Sequence, residues 1–517
     1  MKKNTAYKKS VWLLMALSFV IRAVLSYVLE FGNDEVYYRL YALYPQWSYF
    51  DHPLMVGLVM RIFTVNLLFQ NEFFFRLGSV VLGTLNIWLV FGIGKTLKNE
   101  RTGFIASLLY TASIYVFVIT GIFILPDTPQ STFWLLALHY MFKALPNPGE
   151  KSAHKQILLF GLFAGMGIIS KYTSVFLWSG AVLYVVIYKR QWLNEKSLYI
   201  SLLISFFVSL PVLIWNMENN FVSLFFHGER VGFWGKGINI NTFLREISGE
   251  FLYNNPVNFI LVMVAVIAFL RGKFTLEKQR GEMMLLTALP MIVLFILFSL
   301  FKPTLPHWTA QGYTTLIFLA AAWLSEKSGE AVPLPVKVSL TLLAVILLLG
   351  TVQIKTGILY ADKNGEITRK GHNDPSLDMY GYGQIGKAFA RIVKKDRETG
   401  KVSSNIFLTG NKWFPLANFD YYAASPLGIK TLAIGKLQDI HQYAWINGWR
   451  GGFKKGADAY YITDSRIFRP PGAGMKKYFE KTEIPDTIAV YRNGKIVKYA
   501  FVYRLKNLKK IPPSVIP

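Results

Sequence analysis

The chain has 517 residues, 53% of them hydrophobic and 16% aromatic, and its 56 Lys and Arg against 30 Asp and Glu give a formal net charge of +26. A composition this apolar excludes an ordinary soluble enzyme, and the length leaves room for a polytopic membrane bundle plus one further domain. The absence of cysteine excludes disulfides and thiolate metal sites.

The amino terminus carries Lys2, Lys3, Lys8 and Lys9 before an apolar run over 11–29. It resembles a signal peptide but lacks a small-residue cleavage site and is followed by many spans, so it is read as a retained first helix. Crossing the hydrocarbon takes about 20 apolar residues. On that rule spans are expected at 11–30, 77–96, 102–123, 129–145, 156–170, 173–189, 197–216, 257–271, 284–301, 308–325 and 336–354, eleven in all. Basic residues recur at alternate connections (Lys95, Lys98 and Arg101; Lys143, Lys151 and Lys155; Lys189, Arg190 and Lys196; Arg271, Lys273, Lys278 and Arg280), which marks these as cytoplasmic. The excess positive charge is read in this way and not as a nucleic-acid surface.

The remaining connections face outward and hold the unusual chemistry: the first outer loop 31–76, Pro126-Asp127-Thr128-Pro129, Lys171-Tyr172-Thr173, the long loop 216–255, and 301–308. The sidedness depends on a break at Ser170-Lys171, because one continuous helix over 156–189 would switch every later loop.

From about Ile354 the chain turns polar and rich in Gly and Lys, which divides it into a membrane domain, 1–354, and a soluble α/β domain, 355–517. A helix is expected over 384–398 and strands over 405–409, 457–463 and 487–502, the last folding back at Asn493-Gly494, a pair favoured in type I′ hairpins. Residues 355–517 carry 28 Lys and Arg against 13 Asp and Glu. Long domains translocate largely regardless of charge, and such a surface is either simply solvated or attracts an anionic lipid or glycan.

Adjacent carboxylates at the mouth of a membrane bundle, Asp34-Glu35, are kept where they line a polar cavity or meet water. Moving a sugar from a phosphate carrier requires a carboxylate to take the acceptor's proton as it attacks the anomeric carbon. It also requires positive or hydrogen-bonding groups around the departing phosphate. Asp34 or Glu35 suits the first role, and Lys171, His52, Lys302, His307 or Arg230 the second. Plainer readings stand beside these: Asp34 and Asp127 are placed to cap helices, Lys171 to snorkel to water, and loop histidines often have no role. No metal-binding motif is present, although Asp34, Asp127 and a histidine can still converge on a divalent ion in space. No Walker loop or dinucleotide fingerprint is found, so energy must arrive in a lipid-linked substrate.

With Asp34-Glu35 after the first span, Tyr49-Phe50-Asp51-His52-Pro53 in the same loop, Leu125-Pro126-Asp127 after the third and Lys171 after the fifth, the chain resembles the GT-C glycosyltransferases that use polyprenyl-phosphate sugars. Protein O-mannosyltransferases and lipid A aminoarabinose transferases are the nearest types. The resemblance covers about residues 11–325. It implies a GT-C catalytic domain over 1–354, an inverting transfer from an undecaprenyl- or dolichyl-phosphate sugar to a lipid, glycan or protein, and an outward-facing active site and C-terminal domain at a bacterial inner membrane. Asp34 then activates the acceptor, Asp127 helps to build the acceptor side, and Lys171 holds the carrier phosphate. His52 stands where the aminoarabinose transferases carry Lys, and Tyr37 where they tend to carry Arg. Three alternatives remain open: a lipid-linked glycan ligase or polymerase, a lipid or glycan transporter, which would place its charges at mid-bilayer in broken helices, and a non-catalytic scaffold.

Overall fold

The computed structural model describes residues 2–231, 237–329, 331–363 and 365–517. Its helices, in chain order, are α1 Lys2–Val28, α2 Asn33–Leu43, α3 Met55–Phe63, α4 Glu72–Leu97, α5 Glu100–Ala112, α6 Asp127–Ala144, α7 Lys151–Ile168, α8 Phe176–Tyr188, α9 Lys196–Glu218 and α10 Val222–Val231. They continue with α11 Ile240–Tyr253, α12 Pro256–Leu270, α13 Lys278–Ser299, α14 Ala310–Lys327, α15 Leu334–Thr356 and α16 Tyr382–Glu398, then the short α17 Trp413–Phe419, α18 Leu437–Ile440, α19 Tyr443–Trp449 and α20 Ala473–Lys476. A helix stands at each of the eleven expected segments. By length and composition, five described helices (α1, α4, α9, α13 and α15) can cross a membrane, or six if α11 and α12, bent by 99°, form one broken span.

The outer loops are not irregular but hold helices: α2 and α3 within 31–76, and α10 and α11 within 216–255, where residues 232–236 lie outside the described residues. These segments are mixed or amphipathic rather than continuously apolar. The expected break after α7 is present. Lys171 has extended backbone (φ −156°, ψ 132°), and a 3₁₀ turn over Tyr172–Val175 leads into α8.

Two compact units are formed, one from residues 1–27 and 45–346, the other from 28–44 and 347–517. The expected division at 354 thus falls within α15, and 28–44, the end of the first expected span and the start of the expected outer loop, group with the C-terminal residues.

In the first unit, bare helix backbones pack closely, as small residues allow in membrane bundles. A Cβ on Gly161 of α7 would lie 2.3 Å from the carbonyl of Ser201 on α9, and one on Gly180 of α8 would lie 2.6 Å from Cα of Thr287 on α13. The basic connections meet one another: Arg101 donates to the Ser328 carbonyl at 2.8 Å, and the Thr275 amide donates to Glu326, which also pairs with Lys98.

The second unit is built on a six-stranded sheet of β1 Ile406–Gly410, β2 Lys430–Ala433, β3 Asp458–Asp464, β4 Phe479–Thr482, β5 Asp486–Arg492 and β6 Lys495–Leu508. The order is β2-β1-β3-β6-β4, with β5 also paired to β6; β1 is parallel to β2 and β3, and β6 is antiparallel to its partners. The β5–β6 turn is Asn493-Gly494, both in the left-handed region at φ 50° and 74°, as a type I′ turn requires. Strands β2 and β4 are each four residues long, too short to register as strand patterns in the sequence.

Candidate active site

In the first unit the polar residues gather around Asp127. The turn Leu125-Pro126 starts α6 at Asp127, where the free amides of a helix N-terminus favour a carboxylate. Lys171, 4% exposed and held in the break between α7 and α8, places its ammonium 2.8 and 2.9 Å from the two Asp127 oxygens. Tyr115, on a π-helical turn of the kind often found at functional sites, donates to Asp127 Oδ1 at 2.8 Å. Gln311 of α14 donates to the Tyr115 hydroxyl at 3.2 Å and to Ser131 Oγ at 2.6 Å. The carboxylate is therefore fixed by Lys171 and by Tyr115, whose hydroxyl Gln311 holds, and it fixes the ammonium in turn.

Three histidines and an arginine lie around this pair. The loop at Ser48–Pro53 closes on itself through the Tyr49 amide and His52 carbonyl at 3.2 Å, and is tied to the end of α7 by the Met55 amide and Ile169 carbonyl at 3.3 Å. His227 on α10 donates from Nε2 to the Asp51 carbonyl at 2.7 Å, and its ring lies 5.9 Å from that of His52 and 5.2 Å from that of Tyr172. Arg230, three residues on, stacks 5.2 Å from the ring of Trp308, beside His307.

Burial lowers all three imidazoles. For His52, His227 and Lys171 add repulsion and hold it well below 6.5; His227 is lowered despite the nearby Asp51; and His307, with Lys171 also opposing its charge, falls to about 4. At neutral pH these rings are uncharged hydrogen-bonding groups, and Lys171 and Arg230 supply the positive charge. An anion entering here would meet one fixed ammonium, one guanidinium and three imidazoles.

Lys302 directs its ammonium to the Glu229 carbonyl, at the end of α10. Among the described residues no group of three or more His, Asp or Glu is placed to hold a metal ion.

Asp34, Glu35 and Tyr37 are on α2, in the second unit. Asp34 is exposed in the first turn, whereas Glu35 is 1% exposed and its Oε2 accepts the Gly32 amide at 2.9 Å, the half of a capping box that a glycine N-cap allows. The capping role considered for Asp34 is thus carried by Glu35. Tyr37 is buried, its ring 5.0 Å from that of Trp413 and its hydroxyl accepting the Gln442 amide at 3.2 Å. Arg39 stacks on Tyr421 at 4.8 Å and donates to Ser425. Beside it Asp420 binds Arg450, Tyr443 and Thr431 at 2.9 to 3.0 Å. Glu30 accepts the amides of Tyr382 and Gly383 at the start of α16.

His227, Tyr115 and Gln311 were not singled out from the sequence. Only His227 left a trace there, in its i, i+3 spacing to Arg230 on a segment read as loop; the other two lie inside apolar spans.

Residues 51–215 match the family described as dolichyl-phosphate-mannose-protein mannosyltransferase. The chain is 20% identical over 409 residues to the lipid A galacturonosyltransferase RgtD of Rhizobium johnstonii, across 77% of this chain and 81% of that protein. It is 26% identical over 282 residues to an undecaprenyl phosphate-alpha-4-amino-4-deoxy-L-arabinose arabinosyl transferase of Edwardsiella ictaluri, across 50% of this chain and 47% of the other. Its fold matches the crystal structure of ArnT from Cupriavidus metallidurans bound to undecaprenyl phosphate with a TM-score of 0.60 at 14% identity, over 96% of this chain and 98% of that one. The shared fold and the partial matches to glycosyltransferase sequences make this chain similar to the multi-pass membrane glycosyltransferases of the GT-C type.

Proposed function

We propose that this enzyme moves a sugar from a polyprenyl-phosphate carrier to a hydroxyl or phosphate of a lipid, glycan or protein acceptor, with inversion, on the periplasmic side of a bacterial inner membrane. The observation that carries this reading is the buried Lys171–Asp127 pair ringed by His52, His227, His307 and Arg230. Lys171 and Arg230 take the carrier phosphate, on which negative charge grows as the anomeric C–O bond breaks, and the neutral imidazoles of His52 and His307 donate hydrogen bonds to its oxygens, while the single N–H of His227 is given to the Asp51 carbonyl. Asp127 is assigned to holding the ammonium in place rather than to the acceptor side, since its oxygens are occupied by Lys171 and Tyr115.

Asp34 is assigned the acceptor's proton: the acceptor oxygen attacks the anomeric carbon from the face opposite the phosphate, and the carboxylate takes the proton that is released. Glu35 is the weaker candidate because its carboxylate caps α2. Tyr37 acts by packing and not by touching substrate.

The test is transfer by the purified chain from a mixture of radiolabelled polyprenyl-phosphate sugars into a cell-envelope extract. Wild type is expected to move label and Asp34→Asn to move none, while Asp34→Asn still binds undecaprenyl phosphate. Equal transfer by both proteins would remove Asp34 from the reaction. Movement of an intact lipid or glycan across a vesicle membrane without bond-making would favour a transporter.

A further inference from the structure

The second unit opens a groove of about 680 Å³ between α16 and β5. On its helical wall Lys387, Arg391 and Lys395 recur every four residues, so they share one face of α16, and all three are exposed. Lys401 lies at the end of the same groove. The two carboxylates present, Asp396 and Asp486, are both held by Arg504. With Arg504 included, five cations and two carboxylates line the groove, which leaves an excess of three positive charges in one depression. The surface ion pair that α16 does make, Lys394 to Glu398, uses other positions. Like charges one turn apart repel and weaken a helix, and an anion lying along the stripe reverses that sign.

The facing wall has the chemistry of a sugar surface. Thr487 offers a hydroxyl, and Tyr491, 51% exposed, offers an aromatic face. Gln384 fixes the two walls together, donating to the Tyr491 carbonyl at 2.7 Å and accepting its amide at 3.0 Å. These two bonds, from one side chain to the backbone of β5, fix the spacing of the walls at that point. Its cations stand about 6 Å apart along the helix axis, which suits successive charged groups on a chain better than a single ion.

We propose that this groove binds a phosphate-bearing sugar chain, as an anionic glycan site separate from the transfer chemistry. The test uses the full chain in phosphatidylcholine nanodiscs, with binding measured to a phosphorylated dextran oligosaccharide, to the same oligosaccharide without phosphate, and to phosphatidylglycerol vesicles. The phosphorylated sugar is expected to bind more tightly than the unmodified one. Replacing Lys387, Arg391 and Lys395 together by Gln is expected to weaken that binding about tenfold or more, while Lys394→Gln leaves it unchanged. The proposal fails if unmodified dextran binds as well, if the triple variant keeps wild-type affinity, if Lys394→Gln costs as much, or if the triple change lowers only vesicle binding. Because transfer is not the readout, failure here leaves the glycosyltransferase reading untouched.

Discussion

Lys171 neutralises both oxygens of Asp127 in a site where each residue is almost fully buried. Removing the ammonium leaves an unpaired buried carboxylate, which typically costs about 3–5 kcal/mol, whereas replacing both partners by apolar residues of similar volume is often neutral. Lys171→Met is therefore expected to lower the thermal midpoint and abolish transfer. The double variant Lys171→Met with Asp127→Leu is expected to regain most of the midpoint and none of the transfer. A single variant that is inactive but fully stable would show that the pair does not hold the site together.

The histidines add a pH signature. Their folded-state pKa values lie below the ordinary value of about 6.5, so the folded chain binds fewer protons than the unfolded one. Their contribution to stability is complete above pH 6.5 and is lost as pH falls toward 4. A bound phosphate favours the charged imidazole, so by the same linkage a polyprenyl-phosphate sugar, a diester whose charge stays fixed in this range, is expected to bind more tightly as pH falls from 7 toward 5. Affinity that stays flat over that range, measured at each pH on intact protein, would mean that the imidazoles do not meet the phosphate.

At the scale of the element, α2 is the helix to examine, because it carries Asp34 and is secured at three places within its own unit. Glu35 caps its start, Tyr37 accepts the Gln442 amide in its middle, and the Tyr44 hydroxyl just past its end accepts from Arg450 at 3.0 Å. Glu35→Ala is expected to cost about 1 kcal/mol through the lost cap, and Tyr37→Phe about 1 kcal/mol through the lost hydrogen bond. If α2 presents Asp34 to the acceptor, both changes lower kcat and leave carrier binding intact. Reduced carrier affinity with unchanged kcat would place α2 on the donor side instead. Asp420→Ala is expected to be harsher, because it leaves Arg39 and Arg450 buried side by side without their shared anion.

Elements differ in how much of their form the local sequence carries. The strongly apolar spans, the amphipathic α16 and the Asn493-Gly494 hairpin declare themselves by composition, period or turn chemistry within a few residues. Helices α3, α10 and α11 do not, since a reading tuned to continuous apolar runs treats a short mixed segment as loop. Strands β2 and β4 owe their extended form to neighbours in the sheet, whose register no local pattern encodes.

For the whole molecule, assembly of the bundle depends on places where one helix backbone touches another. A side chain at Gly180 would collide with Thr287, and one at Gly161 with Ser201, in both cases against backbone that cannot swing away. Gly180→Val is expected to cost about 1–3 kcal/mol by overpacking, read as a lower thermal midpoint in detergent, with the isolated second-unit contacts unaffected. An unchanged midpoint would mean that α8 and α13 can separate without loss.

The sequence by itself determined the solvent of each segment: apolar runs long enough to be helices in lipid, basic connections on alternate ends, a polar α/β region after α15, and polar connections that carry Asp34, Asp127, Lys171, His52 and His307. Those properties depend on neighbours within a turn or two, and they survive in one dimension. Only the tertiary structure decided that Lys171 is paired with Asp127, 44 positions away, that His227, Tyr115 and Gln311 belong to the same cluster, and that Tyr37 is committed to an amide 405 positions away. It also separated the adjacent acids, turning Glu35 into a cap and leaving Asp34 exposed. Charge state, pairing and exposure follow from desolvation and from contacts between distant segments, which come into being only when the chain has folded.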